Sequence, residues 1–451
     1  MSEAVPALRP LAELAAGIDA AALPEAASAG YRTALLDLTG AWLVGRSTPS
    51  AHVFRTVRGP GRGQGSGTGD LMLAAAEAAA AAHALELDDV HSDVTGWHPS
   101  VAAVPPLLAM GAVQPLHGAD VLAGLVAGWE VGGRIGASIT PAHRLRGFHA
   151  TGTIGAIAAT ASVGRARGLD VAMMTSALGL STSLASGTFG VLAGAPQAKH
   201  LHAAHGALAG ILAVETALAG MPGPAGALDA PEGFLRAFSD GEHDHARLTR
   251  ALGQPWEIDR LMIKVHACCA HAFGAIDAAH ALLLKAPDVV AGDGPIDVHT
   301  YAAAAVLDDV HPTDEVGARF SVPFCVAQAL HAYNPEGVLD LAAFEPDQLA
   351  REELLRTAAR VRVHRWDESD AAFPARRRTR IVAGEVSAEV DQPRGMPDNP
   401  VSADVVRAKF TGLVAPLLGA RRTEEIAALV DEVATTPDWV GELLRLAPDP
   451  A

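Results

Sequence analysis

Four short segments of this chain concentrate carboxylate, imidazole and ammonium groups that together suit proton transfer beside a bound anion, and a fifth adds an arginine and a serine at the start of a helix. In the first, Glu86-Leu-Asp88-Asp89-Val-His91-Ser-Asp93 runs into Trp97-His98-Pro99-Ser100 where an alanine-rich helix ends. Carboxylates and imidazoles can converge at such a terminus, and four acids with two histidines are also a donor set for a metal ion. The plainer alternative is that acids after a helix are solvated and that His98 turns the chain before Pro99.

The second segment, Gly147-Phe148-His149-Ala150-Thr151-Gly152, precedes a helix whose backbone N–H groups and positive dipole end suit a carboxylate. The third, Lys199-His200-Leu-His202-Ala-Ala-His205-Gly206, opens another helix and sets Lys199, His202 and Gly206 on one face. A solvated, histidine-rich first turn is its competing reading. The fourth is Lys264-Val-His266-Ala-Cys268-Cys269-Ala-His271, where a lysine in apolar surroundings is either a counter-ion for a carboxylate or a side chain snorkelling from a strand end. In the fifth, Arg319-Phe320-Ser321-Val322-Pro323-Phe324, Ser321 reads as a helix N-cap.

The elements that must position these groups are mostly helical. Apolar residues recur at helical spacing from Leu8 to about Leu43, with Gly40 as an interruption, and then over Leu71–Leu85, Ala119–Ser138, Thr151–Arg167, Val171–Ser186 and Lys199–Ala219. The Gly-rich stretch 59–69 has neither a leading β-branched strand nor a following Gly-Lys-Ser/Thr, so it reads as a loop, not a phosphate cradle. After about Trp256 the period changes. Ile263–His266, Ile296–Tyr301, Val361–Arg365 and Arg380–Val390 alternate as half-buried strands, separated by helical stretches at His271–Leu284, Pro323–Ala332 and Ala350–Ala359. Helical spacing returns over Val401–Leu417, Thr423–Val433 and Trp439–Leu446. The expected fold class is mainly α with an α+β second domain: a discontinuous helical domain of residues 1–260 and 396–451, and a smaller α+β lid of residues 261–395.

Composition narrows the partners. The chain has 451 residues and a formal charge of −17, with basic residues dispersed, which argues against a nucleic-acid surface. Its one basic run, Arg376-Arg377-Arg378, reads as a solvated strand end. An acidic protein that holds an anion must build a local positive pocket from buried Lys and His. Three cysteines make no disulfide framework, and no signal peptide is evident at the N-terminus. The longest Ala-rich run, Leu71–Leu85, contains Glu77 and His83 and is too short to span a bilayer, and charges and turns interrupt the Gly- and Ala-rich helices. The expectation is a cytoplasmic protein with no membrane partner.

In their order and spacing the motifs are more specific than singly. The acidic segment closed by His-Pro-Ser, Gly-Phe-His-x-Thr-Gly-x-x-Gly, Lys-x-x-His-x-x-x-Gly, Lys-x-x-x-Cys-Cys-x-His and Phe-Ser-x-Pro-Phe resemble the MmgE/PrpD family over about residues 34–433. That resemblance implies a helical domain with an α+β lid, a homodimer without metal or organic cofactor, and a site in the cleft between domains. It implies His98, His149, Lys199 and Lys264 as catalytic residues. Glu86, Asp88, Asp89, Thr151, His202 and Phe324 would line the substrate. Glu86 stands where many members have Asp, Val90 where threonine is frequent, and Phe324 where an active-site tyrosine is common.

The family's reactions share one difficulty, negative charge developing at a carbon next to a carboxylate. Two lysines can spread that charge while histidines move protons at carbon and at a leaving hydroxyl. An iron–sulfur route is disfavoured because Cys268-Cys269 and Cys325 lack cluster spacing. The leading expectation is dehydration of a 2-methylcitrate-like hydroxy tricarboxylate. Decarboxylation of a cis-aconitate-type substrate and epimerisation of an imino or hydroxy dicarboxylate are alternatives, as is, in another class, a non-catalytic carboxylate-binding protein.

Overall fold

The computed structural model describes residues 6–59, 67–192, 195–331 and 338–448. Most of the Gly-rich loop expected at 59–69, and Ala332 at the end of an expected helix, lie outside the described residues. The chain divides into two compact units: residues 1–84, 88–261 and 402–451 form the first, and residues 85–87 and 262–401 the second. The fold class is the one expected, mainly α with an α+β unit.

The first unit is helical. Its centre is the buried helix Ala150–Ala166, packed between Gly118–Ile139 and His200–Leu218, with Thr68–His83 and Pro99–Val113 completing the bundle. Small residues set these spacings. A Cβ on Gly210 would lie 2.4 Å from the Ala159 side chain, so glycine there lets the two central helices approach. His200–Leu218 with its leading turn is long and apolar enough to cross a membrane by length and composition, but here it packs as a core helix.

Two helical details differ from the expectation. Gly40 does not interrupt its helix, which runs unbroken over Glu25–Gly45; its missing Cβ leaves room for the Phe410 ring, whose Cδ2 would be 3.1 Å away. Phe410 belongs to Ala403–Leu418, so the returning C-terminal segment completes the first unit's core, helped by a 2.7 Å ion pair from Lys409 to buried Asp37. The helix Pro99–Val113 was not picked out by periodicity. It is buried almost all round, which erases the amphipathic signal, and it carries Pro105 and Pro106, which ordinarily break a helix.

The second unit is a four-stranded sheet covered by helices. Ile296–Thr300 lies centrally, parallel to Val361–Arg365 and antiparallel to Thr379–Ala383, which pairs in turn with Val386–Val390. The alternating run 380–390 is thus a hairpin turning at Gly384, whose φ of +59° suits glycine. Helices Phe273–Lys285 and Val322–His331 supply its apolar cover. Ile263–His266 is not a strand. All four residues are buried, and its backbone finds single partners, such as Ile263 N–H to Gly395 O at 3.0 Å, in place of a ladder. The basic run also departs from expectation at its middle: Arg376 and Arg378 pair with surface acids, but Arg377 is buried.

Candidate active site

In the first unit, three expected site residues stand at helix N-termini. His98 is the N-cap of Pro99–Val113, His149 of Ala150–Ala166 and Lys199 of His200–Leu218; none of the three side chains caps its own helix. All three are buried. The first-turn N–H groups and dipole ends of such helices carry partial positive charge.

His83, at the last turn of Thr68–His83, stands against this group. Its ring centroid is 4.6 Å from that of His98, 5.8 Å from His200 and 6.2 Å from His149. One carboxylate joins the first two: Asp88 Oδ2 lies 2.7 Å from His83 Nδ1 and 3.0 Å from His98 Nδ1. Burial alone would raise the Asp88 pKa, but the two imidazoles pull it well below the usual carboxylate range. His83 is lowered to about 4, first by burial and also by the positive charge of Lys199, against the pull of Asp88. A neutral His83 ring meets the demand of its Nδ1 by donating that N–H to the ionised carboxylate.

His149 is held well below its ordinary value by burial and then by Lys199. Its Nδ1 lies 2.9 Å from Nδ1 of His202, so one ring donates and the other accepts. His202 is itself lowered to about 4, chiefly by burial. The Nε2 atoms of His83 and His149 are buried and have no hydrogen-bond partner among the described residues. The ligand atoms of His83, His98 and His149 lie within 4.8 Å of one another, close enough to hold a metal ion.

Backbone geometry holds these rings. Thr151 Oγ1 donates to Gly96 O at 3.1 Å and accepts from His98 N–H at 3.2 Å, tying the first turn of one helix to the residue opening another. Gly96, at φ +72°, leaves the space that Phe189 fills against His149. The acidic segment is anchored more deeply by His91, whose Nε2 is 3.1 Å from Glu257. Glu257 also takes two contacts of 2.8 Å from Arg247; burial would raise its pKa, but His91 and Arg247 bring it to about 2.

Asp89 faces another way. Its Oδ1 accepts from Ser100 N–H at 3.1 Å, Ser100 Oγ accepts from Trp129 Nε1 at 3.0 Å, and burial raises the carboxyl to about 8, so it is protonated at neutral pH.

In the second unit, Lys264 Nζ lies 2.7 Å from Glu86 Oε2, both buried, with Glu86 in the left-handed region at φ +55°. Lys264 therefore does not snorkel. Arg319 donates to the carbonyls of Leu85 and Ala267 at 3.2 and 3.0 Å, fixing both chain segments of this pair. Phe324 is fully buried on Val322–His331, its ring centroid 6.4 Å from that of Phe344. Ser321 Oγ accepts from Phe324 N–H at 2.9 Å, the capping bond its position suggested.

The acids 86–89 thus do three different jobs, Glu86 on Lys264, Asp88 on two histidines and Asp89 on a helix start. Sequence reasoning missed His83, which it met only as a polar interruption of an alanine run. A lone polar residue buried in such a run, five positions before Asp88, was the available signal.

Comparison with known proteins agrees with the motif order. Residues 9–246 match the MmgE/PrpD N-terminal domain and residues 266–434 the MmgE/PrpD C-terminal domain. The chain is 28% identical over 392 residues to the cis-aconitate decarboxylase-like protein oryM of Aspergillus oryzae, covering 80% of this chain and 79% of that one. It is 26% identical to the cis-aconitate decarboxylase of Aspergillus terreus, covering 77% and 75%, and 23% identical to that of Mus musculus, covering 82% and 77%. With domain matches spanning most of its length, the chain belongs to the MmgE/PrpD family.

Proposed function

We propose that this protein is a lyase acting on a small tricarboxylate, with decarboxylation of a cis-aconitate-type substrate as its reaction. The observation that carries this reading is the convergence of histidines on Asp88 beside buried Lys199, with His98, His149 and Lys199 each at a helix N-terminus. Such a place attracts carboxylates and can supply one proton. The named relatives move the preference from dehydration, which the motifs alone put first, to decarboxylation.

In the proposed reaction the C–C bond to one carboxylate breaks and carbon dioxide leaves. The electron pair forms a new double bond, and the old double bond's pair moves onto the carbon next to a remaining carboxylate, where it takes a proton. Lys199 offsets the growing negative charge. His98 delivers the proton, because the Asp88 carboxylate behind Nδ1 stabilises its protonated form. His149, kept neutral by burial and Lys199, orients a carboxylate by hydrogen bonding. Lys264 is proposed as a second carboxylate ligand on the strength of its motif position.

The test is NMR of the purified protein with cis-aconitate in deuterated water, with 2-methylcitrate and citrate in parallel. Decarboxylation is expected to release carbon dioxide and place one deuteron on the dicarboxylate product. Loss of water from the hydroxy acids would support the dehydratase reading. Saturable binding with no turnover of any of them would mean a binding protein.

A further inference from the structure

The three rings of His83, His98 and His149 form the one group of three or more His, Cys, Asp or Glu side chains with metal-ligand spacing found among the described residues. We propose that they constitute a site for a zinc-class divalent cation, and that occupancy of it blocks proton transfer. The site belongs wholly to the first unit. The inhibition clause rests on the function proposed above; the binding clause does not.

Each of the three rings turns its Nδ1 toward a neighbouring polar group. His83 directs Nδ1 at Asp88 in a hydrogen bond, His98 Nδ1 lies 3.0 Å from the same carboxylate oxygen as an ion-pair contact, and His149 Nδ1 faces His202 Nδ1, where the ring that donates leaves its own Nε2 as a lone pair. With its proton on Nδ1, an imidazole presents the Nε2 lone pair, and a carboxylate behind the ring raises ligand basicity, an arrangement common in protein zinc sites. The Nε2 atoms of His83 and His149 are buried and make no hydrogen bond among the described residues, an unmet polar demand that a cation would satisfy.

Imidazole nitrogens suit zinc and its neighbours far better than magnesium or calcium, which prefer oxygen. Bonds of about 2.0–2.1 Å in tetrahedral geometry set ligand nitrogens about 3.4 Å apart. The ligand nitrogens, already within 4.8 Å of one another, need close by little more than an ångström. Three ligands leave a fourth position open. Lys199 opposes a cation here and Asp88 favours one, so binding is expected to be reversible and not that of a permanent structural site.

This occupancy differs from a cofactor role. The metal would take the same lone pairs that proton transfer needs, so chelation should preserve activity and added zinc should remove it.

The test uses the full chain treated with EDTA and then dialysed free of it. Calorimetry with Zn2+ alone is expected to give one saturable site, and Co2+ to give the visible bands of four-coordinate nitrogen ligation. His83→Gln and His149→Gln, with folding checked by circular dichroism, should each weaken Zn2+ binding at least tenfold. In the unmutated protein, 15N NMR should show the ring nitrogens of these three histidines, among nineteen in the chain, shifting together. Absence of a stoichiometric site, or equal affinity in a folded H83Q/H149Q double variant, would overturn the proposal. Once a turnover assay exists, zinc should inhibit and EDTA restore the rate; zinc bound without inhibition removes the blocking clause, whereas a lack of turnover leaves the binding measurements standing.

Discussion

Asp88 Oδ2 and His83 Nδ1 lie 2.7 Å apart with both side chains fully buried, and the same oxygen lies 3.0 Å from His98. One carboxylate therefore fixes the tautomer of His83 and stands in ion-pair range of His98. Asp88→Asn keeps the shape but turns part of that acceptor into a donor. The variant is expected to fold and to lose about ten- to a hundredfold in turnover, the usual cost of losing such an orienting partner. Rates across pH, together with circular dichroism, check this. A parental rate and pH profile would remove Asp88 from the site.

Asp89, one residue on, should behave in the opposite way. Its carboxyl, raised to about 8 by burial, is the neutral acid at pH 7. Because the folded value exceeds the unfolded one, the stability it contributes is complete below about pH 4 and is lost as pH rises toward 8. Asp89→Asn imitates the protonated form and can still accept from Ser100. It should fold normally at pH 7 and lose less stability than the parent between pH 7 and 9. Urea denaturation at those values is the measurement, and an unfolded variant at pH 7 would contradict it.

How the sequence declared these roles is uneven. Helix positions were legible because apolar spacing survives wherever one face meets solvent, and the hairpin at Gly384 left its alternation intact. Pro99–Val113 was illegible because Pro105 and Pro106 argue against a helix, a signal that the equally buried Ala150–Ala166 lacks. Candidate residues were legible where they follow or open a helix in an unusual cluster, as His98, His149 and Lys199 do. The division of labour among Glu86, Asp88 and Asp89 was not, because it depends on the partner each neighbouring side chain finds, Lys264 for Glu86, His83 for Asp88 and the Ser100 N–H for Asp89. His83 was hidden because one imidazole in an alanine run has no local pattern.

Acid should destabilise the fold in a defined window. His83 and His143 are both lowered to about 4, in each case first by burial, from an ordinary 6.5. The folded chain then binds fewer protons than the unfolded one between those values, so stability is complete above about pH 6.5 and is lost as pH falls toward 4. At about 1.4 kcal/mol per unit, a fully buried ring contributes on the order of 3 kcal/mol across the window. His143 hydrogen-bonds Thr153 at 2.8 Å and stacks on Phe238, so His143→Gln retains a polar partner while removing the titration. Its denaturation midpoint should vary less between pH 7 and 5 than the parent's.

The lysines call for different substitutions. Removing Lys199 should weaken substrate binding and turnover together, since the charge it offsets grows in the transition state. Lys264→Ala would also strand buried Glu86, at a cost of about 3–5 kcal/mol in stability. Lys264→Met with Glu86→Gln removes both charges at once, and it should fold while losing turnover. A folded double variant with parental kinetics would exclude Lys264 from the reaction.

His98 and His149 are the pair on which the proposed mechanism stands. They occupy equivalent positions, each an N-cap whose ring does not cap its own helix, yet their surroundings differ. His98 has the Asp88 carboxylate behind it, which favours its charged form, so it can give a proton to the developing carbanion. His149 is fully buried with Lys199 nearby, which together disfavour its charged form, and its Nδ1 meets His202. His98→Gln should therefore cost about a hundredfold or more in kcat, the loss expected when general acid catalysis is removed. His149→Gln should raise KM as well as lower kcat, because its proposed task is to orient the substrate. Steady-state kinetics with the substrate found by the NMR screen, beside circular dichroism spectra that match the parent, decide the matter: two folded variants with parental rates would leave the family membership standing and the mechanism without its acid.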